Sequence, residues 1–414
     1  MGWGIRARLG MLMFLQYFVW GAWYVTLGTF LAIGLHFNGR EVGWAAGTTA
    51  VGAIVAPLFV GLVADRFLAT QKALGALHIA GGVLLWLASG QSSFPAVYAA
   101  ILGYSLCYMP TLALSNSLAF RQMRDAQREF GPIRVFGTIG WIVAGVAIGR
   151  LGIEATALPL RIAAATSVLL GLYCYTLPDT PPLAGRTSDL RQIIPGRAMR
   201  VLRERSTLVF ALASLLICIP LQFYYAFTNL YLNEVGIANA AGKMAAGQVS
   251  ELVCMLLIPF FFRRLGVKYM LAVGMIAWVG RYVLFAWGNA TDLVWMLWGG
   301  ILLHGICYDF FFVTGQIYID RRAPQELRAA TQGLITFLTY GVGMFLGAWI
   351  SGIVVDAYAL PGLGGVVRHE WRAIWTICAG CSALVLLFFL LVFADDGRSA
   401  DIADGALEAQ AGRS

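Results

Sequence analysis

The apolar stretch from 293 to 317 contains polar side chains that are able to carry out chemistry. Within six residues it has His304, Tyr308 and Asp309, and three phenylalanines follow the aspartate. On a helix His304 and Tyr308 share one face, because they are four residues apart, and Asp309 flanks that face. A carboxyl group among aromatic rings is desolvated, and desolvation favours its neutral, protonated form. We therefore predict that Asp309 binds and releases a proton.

A second acidic side chain, Glu251, lies deep in another apolar stretch, one helical turn after Gln248. A glutamate side chain is too short to reach water from that depth, so we predict that Glu251 binds the substrate or the proton. The alternative is a structural ion pair with Arg281, which lies at a comparable depth in the next stretch. Gln222 and Tyr225 repeat the same spacing of three residues and are predicted to face a ligand as well.

A third pattern combines a cation, a hydroxyl group and a flat aromatic ring. Arg134, Thr138 and Trp141 lie at positions i, i+4 and i+7, so a helix presents all three on one face. That face then offers the three groups to a ligand. The alternative is an arginine that extends toward water from the end of a membrane helix, with Trp141 as a packing residue.

The composition places these side chains in a membrane. Of the 414 residues, 59% are hydrophobic and 12% are charged, whereas soluble chains carry about 25% charged residues. This chain lacks the polar residues to cover a water-facing surface, which excludes a soluble enzyme. The net charge of +8 comes from short basic clusters between apolar stretches, so it does not indicate nucleic-acid binding.

The seven cysteines all lie inside apolar runs, which is typical of buried thiols and not of a disulfide framework. Cys378 and Cys381 match C-x-x-C, but inside a membrane segment this is weak evidence for a metal or redox site. We predict neither a metal nor a cofactor.

Twelve stretches are long and apolar enough to span a membrane, which requires about 20 residues. All-α architecture with twelve transmembrane helices is therefore predicted. The stretches are 9–34, 42–64, 73–90, 95–119, 130–149, 159–177, 207–232, 243–262, 269–288, 293–317, 330–355 and 373–393.

The loop charges support both this number and an orientation. With both termini in the cytoplasm, 22 lysines and arginines lie on the cytoplasmic side and 6 on the outer side. Such a bias is what the positive-inside rule requires, and omitting one span would mix the two groups. We therefore expect a multi-pass protein of the inner membrane, in contact with the lipid bilayer, with both termini inside.

The longest polar break, 178–206, separates six spans from six spans. It predicts an N-terminal half at 1–177, a basic cytoplasmic linker, a C-terminal half at 207–394 and a disordered tail at 395–414. Two pseudo-symmetric halves of six helices are the layout of the major facilitator fold, in which the substrate binds near the midplane between the halves.

Two sets of motifs resemble known families. The sequence from Gly61 to Asp65 and Arg66 resembles the start of the major facilitator signature, which implies a gating role for Asp65 and Arg66. Four further strings resemble the nucleoside:proton symporter family of that superfamily. These strings are FLQYFVWGAW from Phe14, MPTL from Met109, PIRVFGTIG from Pro132 and YDFF from Tyr308.

This resemblance implies proton-coupled nucleoside uptake by alternating access. We also expect the protein to act as a monomer. The resemblance assigns proton coupling to Asp309, with Glu251 as a second candidate. It assigns nucleoside binding to nine positions, where Tyr225 and His304 replace the Asn and Tyr of the family pattern. These positions are Arg134, Thr138, Trp141, Gln222, Tyr225, Gln248, Glu251, His304 and Tyr308.

The chemistry agrees with such a ligand. An aromatic ring such as Trp141 or Tyr308 stacks on a flat base, amides supply donors and acceptors together, and a carboxylate accepts from both ribose hydroxyls. The same groups suit a sugar, so a proton-coupled sugar or glycoside porter of the same fold is the alternative. An enzyme is not expected, because the sequence has no zincin, G-x-S-x-G or P-loop motif.

Overall fold

The computed structural model describes residues 2–59, 68–181, 198–362 and 367–394, and these are almost entirely helical. Asp65 and Arg66, the predicted gating pair, lie outside the described residues, as do most of the linker and the tail from 395 to 414.

Apolar helical segments follow one another along the chain. The first six are α1 Trp3–Gly34, α2 Gly39–Phe59, α3 Thr70–Ala88, α4 Phe94–Gln122, α5 Ala126–Leu151 and α6 Leu158–Cys174. The next five are α7 Arg205–Glu234, α8 Ala240–Trp287, α9 Val294–Arg322, α10 Ala330–Ala357 and α11 Trp371–Val392. A short antiparallel hairpin precedes α11, formed by β1 Ala359–Pro361 and β2 Val367–His369.

The segment α8 consists of two helices joined at Gly266. Its 48 residues would extend about 72 Å as one helix, more than twice the hydrocarbon core of a bilayer. Gly266 has a φ of 65° and a ψ of 179°, a conformation open to glycine, which has no Cβ. With α8 counted as two spans, the described helices are compatible with the twelve predicted spans.

Three of the segments contain a π-helical stretch, in which one extra residue is accommodated per turn. These stretches are Phe30–Gly34 in α1, Asp309–Val313 in α9 and Phe337–Gly343 in α10. Such stretches interrupt the regular α-helical ladder and often occur at functional sites. Asp309, the predicted proton carrier, is the first residue of one of them.

The described residues divide into two compact units that do not follow the order of the chain. Unit 1 comprises those within Met1–Ile194, Leu221–Ala245 and Tyr340–Glu370. Unit 2 comprises those within Pro195–Pro220, Ala246–Thr339 and Trp371–Ser414. The division into the halves 1–177 and 207–394 stays a prediction about the transmembrane organisation.

In unit 1, α1 packs along α5 and α6, and α3 packs against α4 and α6. The contact between α1 and α5 depends on glycine. A Cβ atom on Gly140 would lie 2.2 Å from the carbonyl oxygen of Phe14, and one on Gly21 would lie 3.0 Å from the Cα of Trp141. The two backbones therefore approach closely enough to bring the first helix alongside the aromatic and basic side chains of α5.

In unit 2, α8 and α9 approach each other in the same way. A Cβ atom on Gly305 would lie 2.5 Å from the carbonyl oxygen of Ser250, and one on Gly247 would lie 3.1 Å from the Cβ of His304. This close approach places the polar residues of α8 beside those of α9. A small apolar core of Cys254, Ile258, Met270 and Phe310 lies next to them.

Candidate functional site

Arg134, Thr138 and Trp141 lie on α5, and all three side chains are partly exposed. The guanidinium of Arg134 lies 3.9 Å from the ring centroid of Tyr17 on α1. A cation at this distance is attracted by the negative face of the ring. The contact holds the arginine against α1.

An aromatic wall continues from Trp141 across α1 to α7. The Trp141 and Trp20 rings are 5.6 Å apart at 73°, Trp20 and Tyr24 are 5.7 Å apart, and Tyr24 and Tyr225 are 5.8 Å apart. These four rings, called the aromatic wall below, place two predicted site residues, Trp141 and Tyr225, on one continuous surface of unit 1. The sequence interpretation did not assign Trp20 or Tyr24, although their spacing of four residues places both on one helix face.

Gln222 lies one turn before Tyr225 on α7, and its side chain is 1% exposed. The Tyr24 hydroxyl approaches it, but without the geometry of a hydrogen bond. Neither the nitrogen nor the oxygen of the Gln222 amide has a hydrogen-bond partner among the described residues. Leaving such a group unpaired costs about 1–3 kcal/mol, so a ligand that supplied a partner would recover this energy.

In unit 2, His304 connects the predicted residues of α8 and α9. Its Nε2 lies 3.0 Å from Nε2 of Gln248 and 3.7 Å from Oε2 of Glu251. The Gln248 amide N–H is the donor of the shorter contact when Nε2 of His304 carries no proton. The His304 ring also stacks on Tyr308, with centroids 6.0 Å apart and planes 25° apart. The structure thus brings Gln248, Glu251, His304 and Tyr308 together.

Asp309 follows Tyr308 and is completely buried, and the three phenylalanines after it are at most 5% exposed. Neither carboxyl oxygen has a hydrogen-bond partner among the described residues. An ionised carboxylate buried without a partner is very costly, so this environment requires the neutral acid.

Arg281, the alternative partner of Glu251, is also completely buried in unit 2. Its Nε donates to the carbonyl oxygen of Gly300 at 3.0 Å, and its guanidinium lies 5.1 Å from the Trp278 ring centroid. The ion pair with Glu251 stays a prediction.

The predicted residues therefore form two groups. Unit 1 contains Arg134, Thr138 and Trp141 together with Gln222 and Tyr225, and unit 2 contains the five residues from α8 and α9. Within the described ranges, no cluster of histidine, cysteine or acidic side chains has the arrangement needed to hold a metal ion.

Comparison with known proteins gives consistent results. The family profile described as Nucleoside H+ symporter matches residues 3–398. YegT of Escherichia coli (strain K12) is 42% identical over 399 residues, which cover 94% of this chain and 93% of the relative. The nucleoside permease NupG of the same organism is 30% identical over 405 residues, which cover 94% and 96%. The crystal structure of NupG superposes with a TM-score of 0.86 at 30% identity, covering 95% of this chain and all of the other.

Proposed function

The chain belongs to the nucleoside H+ symporter family, and from this membership we propose how its residues couple nucleoside uptake to protons. It is a membrane-spanning transporter with the major facilitator fold that NupG also has. Its task is to move a nucleoside and a proton across the bilayer together. The residues that bind each of them are the subject of the proposal.

Each of the two groups of predicted residues supplies side chains for nucleoside binding. In unit 1, Trp141 stacks on the base, and the unpaired amide of Gln222 supplies a donor and an acceptor. In unit 2, Gln248 and Glu251 lie beside His304. Gln248 donates to a ribose hydroxyl, Glu251 accepts from the ribose hydroxyls, and Tyr308 offers its ring for stacking. Amides and a carboxylate discriminate strongly against analogues that lack a hydroxyl.

Asp309 carries the coupled proton. The observation that supports this assignment is its complete burial without a hydrogen-bond partner among the described residues. Such a carboxyl group is stable only when protonated. A conformation that admits water would allow it to ionise, so protonation and conformation are linked.

The protein acts in the bacterial inner membrane, with both termini in the cytoplasm and one chain per transport unit. The distribution of 22 basic residues on one side against 6 on the other supports this orientation. The linker 178–206 then lies in the cytoplasm and joins the six-helix halves 1–177 and 207–394.

Uptake by proteoliposomes tests the function. Purified protein is reconstituted, the outside is acidified, and labelled uridine and labelled maltose are offered separately. We expect uridine to accumulate above its external concentration and the accumulation to collapse when a protonophore is added. Accumulation of maltose without uridine would instead establish the sugar porter.

A further inference from the structure

Glu154, in the connection between α5 and α6, is an acidic residue that the sequence interpretation did not assign. Its side chain is 4% exposed and accepts three hydrogen bonds. Oε2 accepts from the side-chain amides of Asn229 at 3.1 Å and Asn233 at 2.7 Å, and Oε1 accepts from the backbone N–H of Ala241 at 2.9 Å. All three donors are neutral, and they come from α7 and from the beginning of α8.

A fourth contact extends this arrangement to α1. The hydroxyl of Thr29 donates to the side-chain oxygen of Asn229, and both residues are completely buried. The backbones are also close here, because a Cβ atom on Gly149 would lie 2.6 Å from the backbone nitrogen of Gly242. We call Thr29, Glu154, Asn229, Asn233 and Ala241 the Glu154 cluster.

The cluster lies on the helix face that carries two predicted nucleoside-binding residues. Gln222, Tyr225, Asn229 and Asn233 are spaced by three, four and four residues, so α7 presents all four on one side. The hydrogen bonds to Glu154 therefore fix the same side of α7 that contacts Tyr24 through Tyr225.

The parts of α7 and α10 that belong to unit 1 begin at interruptions of the helix. On α7, unit 1 begins directly after Pro220, which lacks an N–H and therefore breaks the ladder of backbone hydrogen bonds. On α10, unit 1 begins at Tyr340, inside the π-helical stretch Phe337–Gly343. Prolines and π-helical stretches are the sites where helices bend.

We propose that Glu154 is a positioning residue of the transport cycle. It holds the Gln222 and Tyr225 face of α7, and the beginning of α8, against the N-terminal helices, and these hydrogen bonds break when the site opens to the outside. The inference rests on the proposed function, because it takes alternating access and the orientation from there. Glu154 lies on the outer side in that orientation.

A change of Glu154 to glutamine tests the proposal. The amide keeps the size of the side chain but has only one acceptor oxygen, which cannot satisfy donors on both sides. The closed arrangement then loses stability relative to the open one, and the open one becomes more populated. Asn233→Ala removes one donor and leaves Glu154 in place, so it serves as the milder second variant. Glu41→Gln is the matched control, because Glu41 is partly exposed and, within the described part of the chain, its side chain bonds only to Asn38.

The readout is chemical labelling at a position that the cluster protects. Ala226 is 4% exposed, and its carbonyl lies against Gly28. With Ala226→Cys as reporter, a membrane-impermeant maleimide is applied from outside, and modification at 226 is measured by peptide mass spectrometry. We expect labelling to be at least about fivefold faster with Glu154→Gln and faster with Asn233→Ala, but unchanged with Glu41→Gln.

Uptake kinetics supply a readout that a purely structural role would not produce. Because a larger open fraction raises the apparent affinity for external substrate, the KM for uridine should fall while the maximal rate falls as well. Equal labelling rates at position 226 in the Ala226→Cys protein with and without Glu154→Gln would overturn the proposal. If Glu154→Gln does not fold, the same comparison is made with Asn233→Ala. The labelling needs no substrate, so its failure is distinguishable from a failure of uridine transport.

Discussion

Glu251 and Asp309 are two carboxyl groups of one unit whose surroundings differ. The side chain of Glu251 is 18% exposed and lies 3.7 Å from His304, whereas Asp309 is completely buried without a hydrogen-bond partner in the described part of the chain. Two carboxyl groups in unlike environments take different protonation states and different tasks. Glu251 suits the binding of hydroxyl groups as a carboxylate, and Asp309 suits the binding of a proton.

The change Glu251→Gln removes the charge and keeps the size. Losing one charge-assisted hydrogen bond costs about 1.5–3 kcal/mol, so we expect uridine affinity to fall roughly tenfold to a hundredfold. Discrimination against 2′-deoxyuridine should fall as well. Isothermal calorimetry on purified protein measures both, with Glu41→Gln as control. Unchanged affinity would contradict the role in binding, and misfolding would favour the ion pair with Arg281.

The change Asp309→Asn fixes a neutral side chain at this position. Nucleoside binding and exchange should persist, because the neutral form is the one that this environment stabilises, but accumulation driven by a pH gradient should be lost. Counterflow and gradient-driven uptake in the same vesicles separate the two outcomes. Asp320→Asn, on a half-exposed side chain of the same segment, is the control. Gradient-driven accumulation equal to that of the unchanged protein would move the proton site to Glu251.

At the scale of elements, the glycines set how closely the helices approach. Gly140 and Gly21 bring α5 and α1 together, and the aromatic wall is a consequence of that approach. The order and type of the apolar helices could be predicted from the sequence. A run of about 20 apolar residues that crosses a bilayer must satisfy its backbone hydrogen bonds internally, and a helix does so. Where the predicted ends fall on described residues, they lie within six residues of the observed helix ends, and the end of the second span at 64 lies outside the described residues.

The change Gly140→Ala tests the importance of this contact. The new methyl group would lie 2.2 Å from a backbone carbonyl oxygen that cannot move independently, and such overpacking costs about 1–3 kcal/mol. We expect a lower melting temperature in detergent and weaker uridine binding. Gly131→Ala is the matched control on α5, since a Cβ atom there would have no neighbour within 4 Å. Equal melting temperatures for the two variants would contradict the argument.

Other features of the elements could not be predicted. Hydropathy does not reveal which polar groups meet across helices, so the contacts of Glu154 with Asn229 and Asn233 gave no signal, and Glu154 had the pattern of an ordinary loop residue. The π-helical stretch that begins at Asp309 adds a residue to a helical turn, and no sequence pattern predicts it. The role of Trp20 and Tyr24 was hidden because aromatic residues are common in membrane helices.

At the scale of the whole molecule, the apolar stretches predict the number of spans, and the loop charges support that number and predict the orientation. Fusions to two reporters test both predictions: a fluorescent protein that fluoresces in the cytoplasm, and alkaline phosphatase, which is active on the outer side. A C-terminal fusion should fluoresce and lack phosphatase activity, whereas phosphatase inserted after Asn289, between α8 and α9, should be active. The opposite results at both positions would show that α8 crosses the membrane only once.

The unpartnered carboxyl of Asp309 has an electrical consequence. In the proposed coupling, a protonated Asp309 and a neutral nucleoside add no charge to the loaded protein, which therefore reorients with one negative charge fewer than the empty protein. After the proton has left, the empty protein returns with a negative charge, and a potential of 100 mV contributes about 2.3 kcal/mol per full charge crossing. Clamping the voltage with valinomycin and potassium should therefore alter the rate of net uptake and leave uridine exchange unchanged.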